Sequence, residues 1–542
     1  MPSLCRKLVD IACRTIRPVE LTWEDGLIQS IGPSSESPGE GFLLPGFVDS
    51  HIHIESSMLV PSQFAKVAVG HGTVATVSDP HEIANVLGQR GIEYMIDDGK
   101  RVPLKFFFGA PSCVPATPFE TAGAALNADD IAGLLDHADI HYLAEMMNYP
   151  GVIGGDPQVH QKIQAAKNAR MRIDGHAPGV RGADAVAYFR SGISTDHECT
   201  TLEEAIEKLD LGVMIQIREG SAARNFDALH SLLRTHAERL MFCSDDKHPD
   251  DLLVDHIDGL CRRALHEGHD LFDILHAACV APVQHYDLNV GQLRVGDPAD
   301  FIEVASLEEL RVARTWIEGE CVFMEGEAQF AVENAEAINH FDCRLITDDA
   351  LSVANEPGKR IRVIEVEDGQ IVTGQSMDEP RVEAGQVVAD KTRDLLKLVN
   401  FNRYHEAPPA IGFVRGFGLQ QGAIAGSVGH DSHNILAVGT DDACIVQAIN
   451  GVIEAQGGLT CCDGQRLECL PLPVAGLMSL DSCQVVGQRY QQLDAMAKKL
   501  GCVLQAPYMT LSFLGLLVIP SLKLSDHGLF DGEAFQPVDL HV

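Results

Sequence analysis

The sequence predicts an α/β protein built on a (β/α)8 barrel, with a small composite β-sandwich domain and an α+β C-terminal domain. Three observations lead there. Eight short apolar runs, each ending in polar residues, alternate with helix-length segments between residues 43 and 267, which is the pattern of βα units. A stretch of roughly 250 residues is the usual size of a closed eight-unit barrel. No glycine-rich phosphate turn follows the first run, which argues against an open doubly wound sheet.

The chain opens with strand-like LTWEDGLIQSIG, turning at Glu24-Asp25-Gly26, and then breaks at a Pro/Ser/Gly-rich stretch from Pro33 to Gly41. Barrel strands are expected at Leu43–Ile54, Gly72–Asp79, Leu104–Ala110, Tyr142–Met146, Met171–His176, Gly192–His197, Gly212–Arg218 and Leu240–Asp245. Helical patterns such as Glu82–Asp98 and Asp250–Glu267 lie between them. After residue 285 the pattern changes: GQLRVGDPADFIEV and ARTWIEGECVFMEG read as short strands joined by turns. They are expected to pair with the N-terminal strands. A hydrophilic stretch from Glu333 to Arg360 marks the next boundary. The expected division is 1–44 and 291–345 for the small β-domain, 45–290 for the barrel and 361–542 for the C-terminal domain.

The 542 residues include 45% hydrophobic and 22% charged residues, an ordinary globular balance. The formal net charge of −36 disfavours nucleic acid and anionic membrane surfaces as partners. The 15 cysteines include no CxxC pair. The first twenty residues carry no apolar export segment. Both facts read as reduced thiols in the cytoplasm. The most apolar stretch, Leu511 to Pro520, is about half a membrane span and reads as a buried strand.

Chemistry concentrates at the C-terminal ends of the strands, where barrel enzymes place their reacting groups. Strand 1 ends in Asp49-Ser50-His51-Ile52-His53-Ile54-Glu55, and strand alternation puts His51, His53 and Glu55 on one face. Strand 4 ends in Glu145, strand 5 in His176, strand 6 in His197 and strand 8 in Asp245-Asp246. Taken singly, each has a plain structural reading: a hydrogen-bonded histidine, a solvent-facing Glu145, or Asp245 and Asp246 capping the helix that follows. Together, four histidines and two acids on one rim suit two divalent cations sharing a hydroxide. The HxE of His53-Ile54-Glu55 has no PCxxC partner, which excludes the small zinc deaminase fold.

PGFVDSHIHIESSMLVPSQFA, HGTVATVSDPHEIANVLG, LAEMMNYPGVIGGD, DGHAPG, STDHECTTLEEA, IREGSAARN, CSDDKHPDDL, GDPADFIEV and VGHDSHNILAVGTDD together resemble the adenine deaminase family of the amidohydrolase superfamily. The resemblance runs from about residue 20 to the end. It implies hydrolysis of adenine to hypoxanthine and ammonia. It implies His51, His53, Glu145, His176, His197 and Asp245 as ligands of two divalent ions, manganese first, with iron or zinc as alternatives. Asp245 is then the expected proton acceptor. Glu55 is the first candidate to protonate the purine ring, with Glu82 and Glu120 behind it. Ser112, Glu120, Arg218, Ser221 and the C-terminal His433 are candidate substrate contacts, and Cys113 reads as a packing thiol. The polar run Gly429 to Asn434 reads either as a loop over the barrel mouth that completes the pocket or holds another metal, or as a hydrogen-bonded turn. A homodimer is the expected assembly. Competing readings keep the barrel: a cyclic amidase or N-acetyl-sugar deacetylase, a mononuclear nucleoside aminohydrolase, or an oligomeric scaffold without activity.

Overall fold

A computed structural model describes residues 1–542 except 35, 36, 38, 222 and 334. The Pro33–Gly41 break and the Glu333–Arg360 boundary therefore lie partly outside the described residues. Eight parallel strands form the centre. They are Phe47–Ile52, Thr73–Ser78, Lys105–Ala110, Ile140–Met146, Arg172–Gly175, Thr195–Asp196, Met214–Arg218 and Leu240–Cys243, called barrel strands 1 to 8 in that order. Strands 1 to 5 pair in sequence, as do 6 to 8. Ser194 N donates to Ile173 O at 2.9 Å across the seam between strands 5 and 6. A parallel bridge from Ile52 to Asp245 closes strand 8 onto strand 1. All eight expected strands are present. Their runs are nearly all buried because helices cover the outside, as a parallel sheet requires.

Local chemistry trimmed two expectations. The run Leu43–Ile54 splits at Gly46 into Phe42–Pro45, which joins another sheet, and barrel strand 1. A Cβ at Gly46 would sit 2.3 Å from a Val74 methyl, so only glycine allows the chain to cross there. The helix expected over Glu82–Asp98 breaks at Gly88 (φ 60°) into His81–Leu87 and Gln89–Gly99. Glycine takes that backbone without the Cβ penalty.

Phe42–Pro45 sits at the middle of an eight-stranded sheet. Its order is Glu327–Ala328, Glu320–Met324, Val312–Ile317, Phe301–Val304, Phe42–Pro45, Ser3–Asp10, Thr15–Glu24, Leu27–Pro33. The N-terminal and return strands thus share one sheet. Trp23, Phe301 and Trp316 pack into its own apolar cluster.

The C-terminal region holds a second eight-stranded sheet with the helix Asp442–Glu454 packed against it. Two adjacent antiparallel strands, Ala423–Gly426 and Ile435–Gly439, are joined by the loop that carries His430 to Asn434. The main apolar cluster runs without interruption from barrel residues such as Ile52 and Val77 to Leu398, Val438 and Leu516. The barrel and the C-terminal region therefore bury one common core.

Leu511–Pro520 is not a strand. It forms the end of the helix Pro507–Ser512, the 3-10 turn Phe513–Gly515 and tight turns after it. A short apolar run suits a buried strand or a buried helix equally, and Pro507 at the first helical turn sets this one as a helix. Phe513, Leu516 and Ile519 lie over the barrel mouth. Lys523 holds this cover: its fully buried Nζ donates to Ile371 O at 2.8 Å and Phe513 O at 3.1 Å.

Burial lowers the Lys523 pKa from 10.5 to about 7. The folded state then binds this proton less tightly than the unfolded chain. The stability due to the neutral amine is present near pH 10.5 and is lost as pH falls towards 7. In urea unfolding, the wild type is expected to gain stability over Lys523→Met between about pH 7.5 and about pH 9, by up to roughly 1.4 kcal/mol per pH unit. Parallel pH profiles for the two proteins would contradict the buried amine's role.

Candidate metal centre

Backbone bonds first bring the strand ends together. Asp245 N donates to His51 O at 3.0 Å, and His53 N to Asp245 O at 3.4 Å. Asp49 accepts from the backbone of His51 and Ser244, and its Oδ2 meets His256 Nε2 at 2.8 Å. Asp245 sits in the left-handed region (φ 54°), where a side chain with Cβ is strained. Such strain concentrates where a group must be aimed.

Glu145 stands at the centre and divides the cluster into two halves. Its Oε1 lies 3.2 Å from His53 Nε2 and 4.0 Å from His51 Nε2. Asp245 Oδ1 faces the same two rings at 3.4 and 3.8 Å. Glu145 Oε2 lies 2.8 Å from His176 Nδ1 and 3.3 Å from His197 Nε2. The rings of His51 and His197 stack at 4.2 Å. All six side chains are buried. Burial opposes the charge on Glu145, but His176, His197 and His53 outweigh it and hold the carboxyl well below its usual range.

These atoms fit a divalent cation. Both ring nitrogens of His51 are buried with no hydrogen-bond partner, and Nε2 is the one that faces Glu145; at His176 and His197 the nitrogens that face Glu145 are Nδ1 and Nε2. Burial and the neighbouring His197 push the His51 pKa well down, so its ring is neutral and offers a lone pair. Unpaired buried nitrogens are costly unless something else takes the lone pair. A second contact fixes the His53 ring, as at metal sites generally: its Nδ1 meets Asp79 O at 3.1 Å, while Asn225 Nδ2 donates to the backbone carbonyl of His197 at 2.9 Å and holds the strand end.

The other expected residues divide. Arg218 reaches the cavity, but as an ion-pair partner. Its Nη1 and Nη2 donate to Glu198 at 2.6 and 2.8 Å, and Nη1 also donates to Asp245 Oδ2. Glu82 reaches the cavity too. Glu55 is not on the face of His51 and His53. The strand ends at Ile52, and Glu55 lies on the 3-10 turn Ile54–Ser57, where it accepts from Ile83 N at 3.2 Å. Burial, then Glu82, raises its pKa to about 7. Glu120 bonds Thr117 at 3.0 Å and does not line the cavity.

Ser112 donates to Glu145 O at 2.5 Å, and Ser221 to Asp251 at 2.5 Å; both hold protein groups and neither lines the cavity. His433 is buried with Nε2 2.6 Å from Glu82 Oε2. Asp245 and Asp246 do not cap the following helix, whose flanking residue is His248. Asp246 instead accepts from Ser56 at 2.5 Å. Sequence reasoning missed His81 and Glu198, which line the cavity beside His430 and Asp431 of the Gly429–Asn434 loop. His81 follows strand 2 in Asp79-Pro80-His81-Glu82, a strand-end position like the others, and that was the available signal.

The barrel with this rim defines a class, and the comparisons agree. The amidohydrolase family model matches residues 42–322. The model of the adenine deaminase C-terminal domain matches residues 370–536. A protein of Salinibacter ruber named adenine deaminase is 54% identical, covering 100% of this chain and 99% of its own length. One of Methanosarcina barkeri with the same name is 51% identical over 98% of each. A solved N-acetyl-D-glucosamine-6-phosphate deacetylase from Mycobacterium smegmatis is 16% identical, with a TM-score of 0.47 over 60% of this chain and 100% of its own. The chain belongs to the adenine deaminase family of the amidohydrolases. That family membership implies a divalent metal, and the buried His/Asp/Glu groups can bind one.

Because Ser112 bonds the backbone of Glu145, Ser112→Ala is expected to leave the substrate KM unchanged and to weaken cation retention roughly 10-fold or more. Metal content after dialysis against a chelator, with KM, checks this. A large rise in KM at full metal content would return Ser112 to substrate contact.

Proposed function

We propose that the chain hydrolyses adenine to hypoxanthine and ammonia at this centre. The observation that carries the reading is the whole-length likeness to proteins named adenine deaminase, joined to two half-sites that meet on Glu145. His51, His53 and Asp245 would hold one divalent ion, His176 and His197 a second, with Glu145 between them and manganese as the first choice. When bound, the metal supplies water activation near neutral pH.

The protein's own groups do the rest. Water's oxygen bonds to C6 of the purine while one of its protons goes to ring nitrogen N1; the C6–amino bond then breaks as the second proton moves to the leaving nitrogen, which gives the carbonyl of hypoxanthine and ammonia. Asp245 Oδ1 is placed to carry the second proton, since Oδ2 is held by Arg218. Arg218 in turn is fixed by both oxygens of Glu198, which keeps the Asp245 carboxylate from rotating. Phe513, Leu516 and Ile519 give the cavity an apolar cover that suits a flat purine and excludes water.

The division at 1–44, 45–290, 291–345 and 361–542 goes with this reading, as do a homodimer and a cytoplasmic location. For the last, all 15 cysteines are unpaired. Among the described residues no helix is long and apolar enough to cross a membrane.

Protein stripped of metal and refilled with manganese is expected to release one ammonia and one hypoxanthine per adenine. Asp245→Asn is expected to lower kcat by roughly 10²–10⁴-fold. Turnover of a cyclic amide or an N-acetyl sugar with no reaction on adenine would overturn the assignment.

A further inference from the structure

Glu82 has surroundings that the barrel centre does not explain. Its Oε1 lies 2.7 Å from His430 Nδ1, and its Oε2 lies 2.6 Å from His433 Nε2. These are hydrogen-bond lengths, yet Glu82 Oε1 and both ring nitrogens of His433 have no hydrogen-bond partner. Asp431 Oδ2 has none either. His81 Nε2 stands 3.8 Å from both Glu82 Oε1 and Asp431 Oδ1. One donor atom each from His81, Glu82 and Asp431 lie within 4.8 Å of one another. All five residues are at most 3% exposed.

The Glu145 cluster likewise has short nitrogen–oxygen separations and an orphaned buried ring, His51. At Glu82 the two imidazoles and the orphaned carboxylate oxygens leave lone pairs among the side chains. The loop that brings His430, Asp431 and His433 is held from both sides. Asn434 donates to Thr121 O at 2.8 Å and accepts from Arg403 N at 3.2 Å, and Tyr404 OH donates to Ser432 O at 2.6 Å. His433 itself is left-handed (φ 55°), as Asp245 is in the barrel centre.

We infer that Glu82, His430, Asp431 and His433, with His81 beside them, form a separate divalent-cation site between the barrel and the C-terminal loop. Imidazole with carboxylate selects a first-row transition ion such as manganese or zinc over magnesium or calcium. An ion here ties the C-terminal region to the helix His81–Leu87 at the barrel mouth. It also occupies the carboxylate that the sequence offered as a purine acid, so Glu82 is a ligand rather than a proton donor. His81 Nδ1 also stands 3.5 Å from Glu145 Oε1, so the site adjoins the barrel centre, and it stands whether or not adenine is the substrate.

The test is metal counting on protein refilled with manganese, comparing the wild type with Glu82→Gln, His433→Asn and Glu145→Gln. Glu82→Gln and His433→Asn are each expected to hold one ion per chain fewer than the wild type. Equal content in those variants and the wild type overturns the site. Loss in Glu145→Gln alone overturns it while leaving the barrel centre intact. Loss only in the other two overturns the barrel centre and keeps this site. Should a variant fail to fold, wild-type crystals decide. An anomalous-difference peak at the manganese edge is expected about 2.0–2.2 Å from Glu82 and His433, and a featureless map there overturns the proposal.

Discussion

Everything at the barrel mouth depends on one buried carboxylate. Glu145 sits among five imidazoles, with His51, His53 and His81 facing one oxygen and His176 and His197 the other. A charge so far from water must be matched or it is strongly destabilising. Imidazoles alone match it poorly, because both ring nitrogens of His51 then have no partner. In the proposed centre a cation on each side of Glu145 would take the lone pairs that face it and balance the acid. The strain at Asp245 and the Asp49 network between strands 1 and 8 follow from the need to hold that geometry.

The same constraint explains the C-terminal region. A metal-assisted hydrolysis needs a mouth that limits bulk water, and a barrel rim alone is open. Here the turns after Pro507 cover the mouth with apolar side chains, anchored through Lys523. The loop at His430 meets Glu82 from the C-terminal sheet. Because barrel and C-terminal region share one apolar core, the cover is held by packing as well as by polar contacts.

Much of this was legible in the sequence, for identifiable reasons. Strands buried on both faces read as continuous apolar runs, so all eight could be placed. The polar residues ending them, His51 to Asp245, could be read as one rim because a barrel leaves its strand ends no other arrangement. What failed needed tertiary knowledge. Glu55 was put on a strand face that ends three residues earlier, at Ile52. Ser112 and Ser221 looked like substrate contacts because their loops reach the rim, but their hydroxyls are spent on Glu145 O and Asp251. Leu511–Pro520 has no periodicity to separate helix from strand. The meeting of His430 with Glu82 spans about 350 positions, a distance that no local pattern reports.

The central claim is that Glu145 links two cations, and electron paramagnetic resonance of the manganese-loaded protein tests it most directly. A spin-coupled pair is expected, with the coupling lost when Glu145 becomes Gln. A spectrum of isolated manganese ions in the wild type, at full occupancy of the barrel, would contradict it.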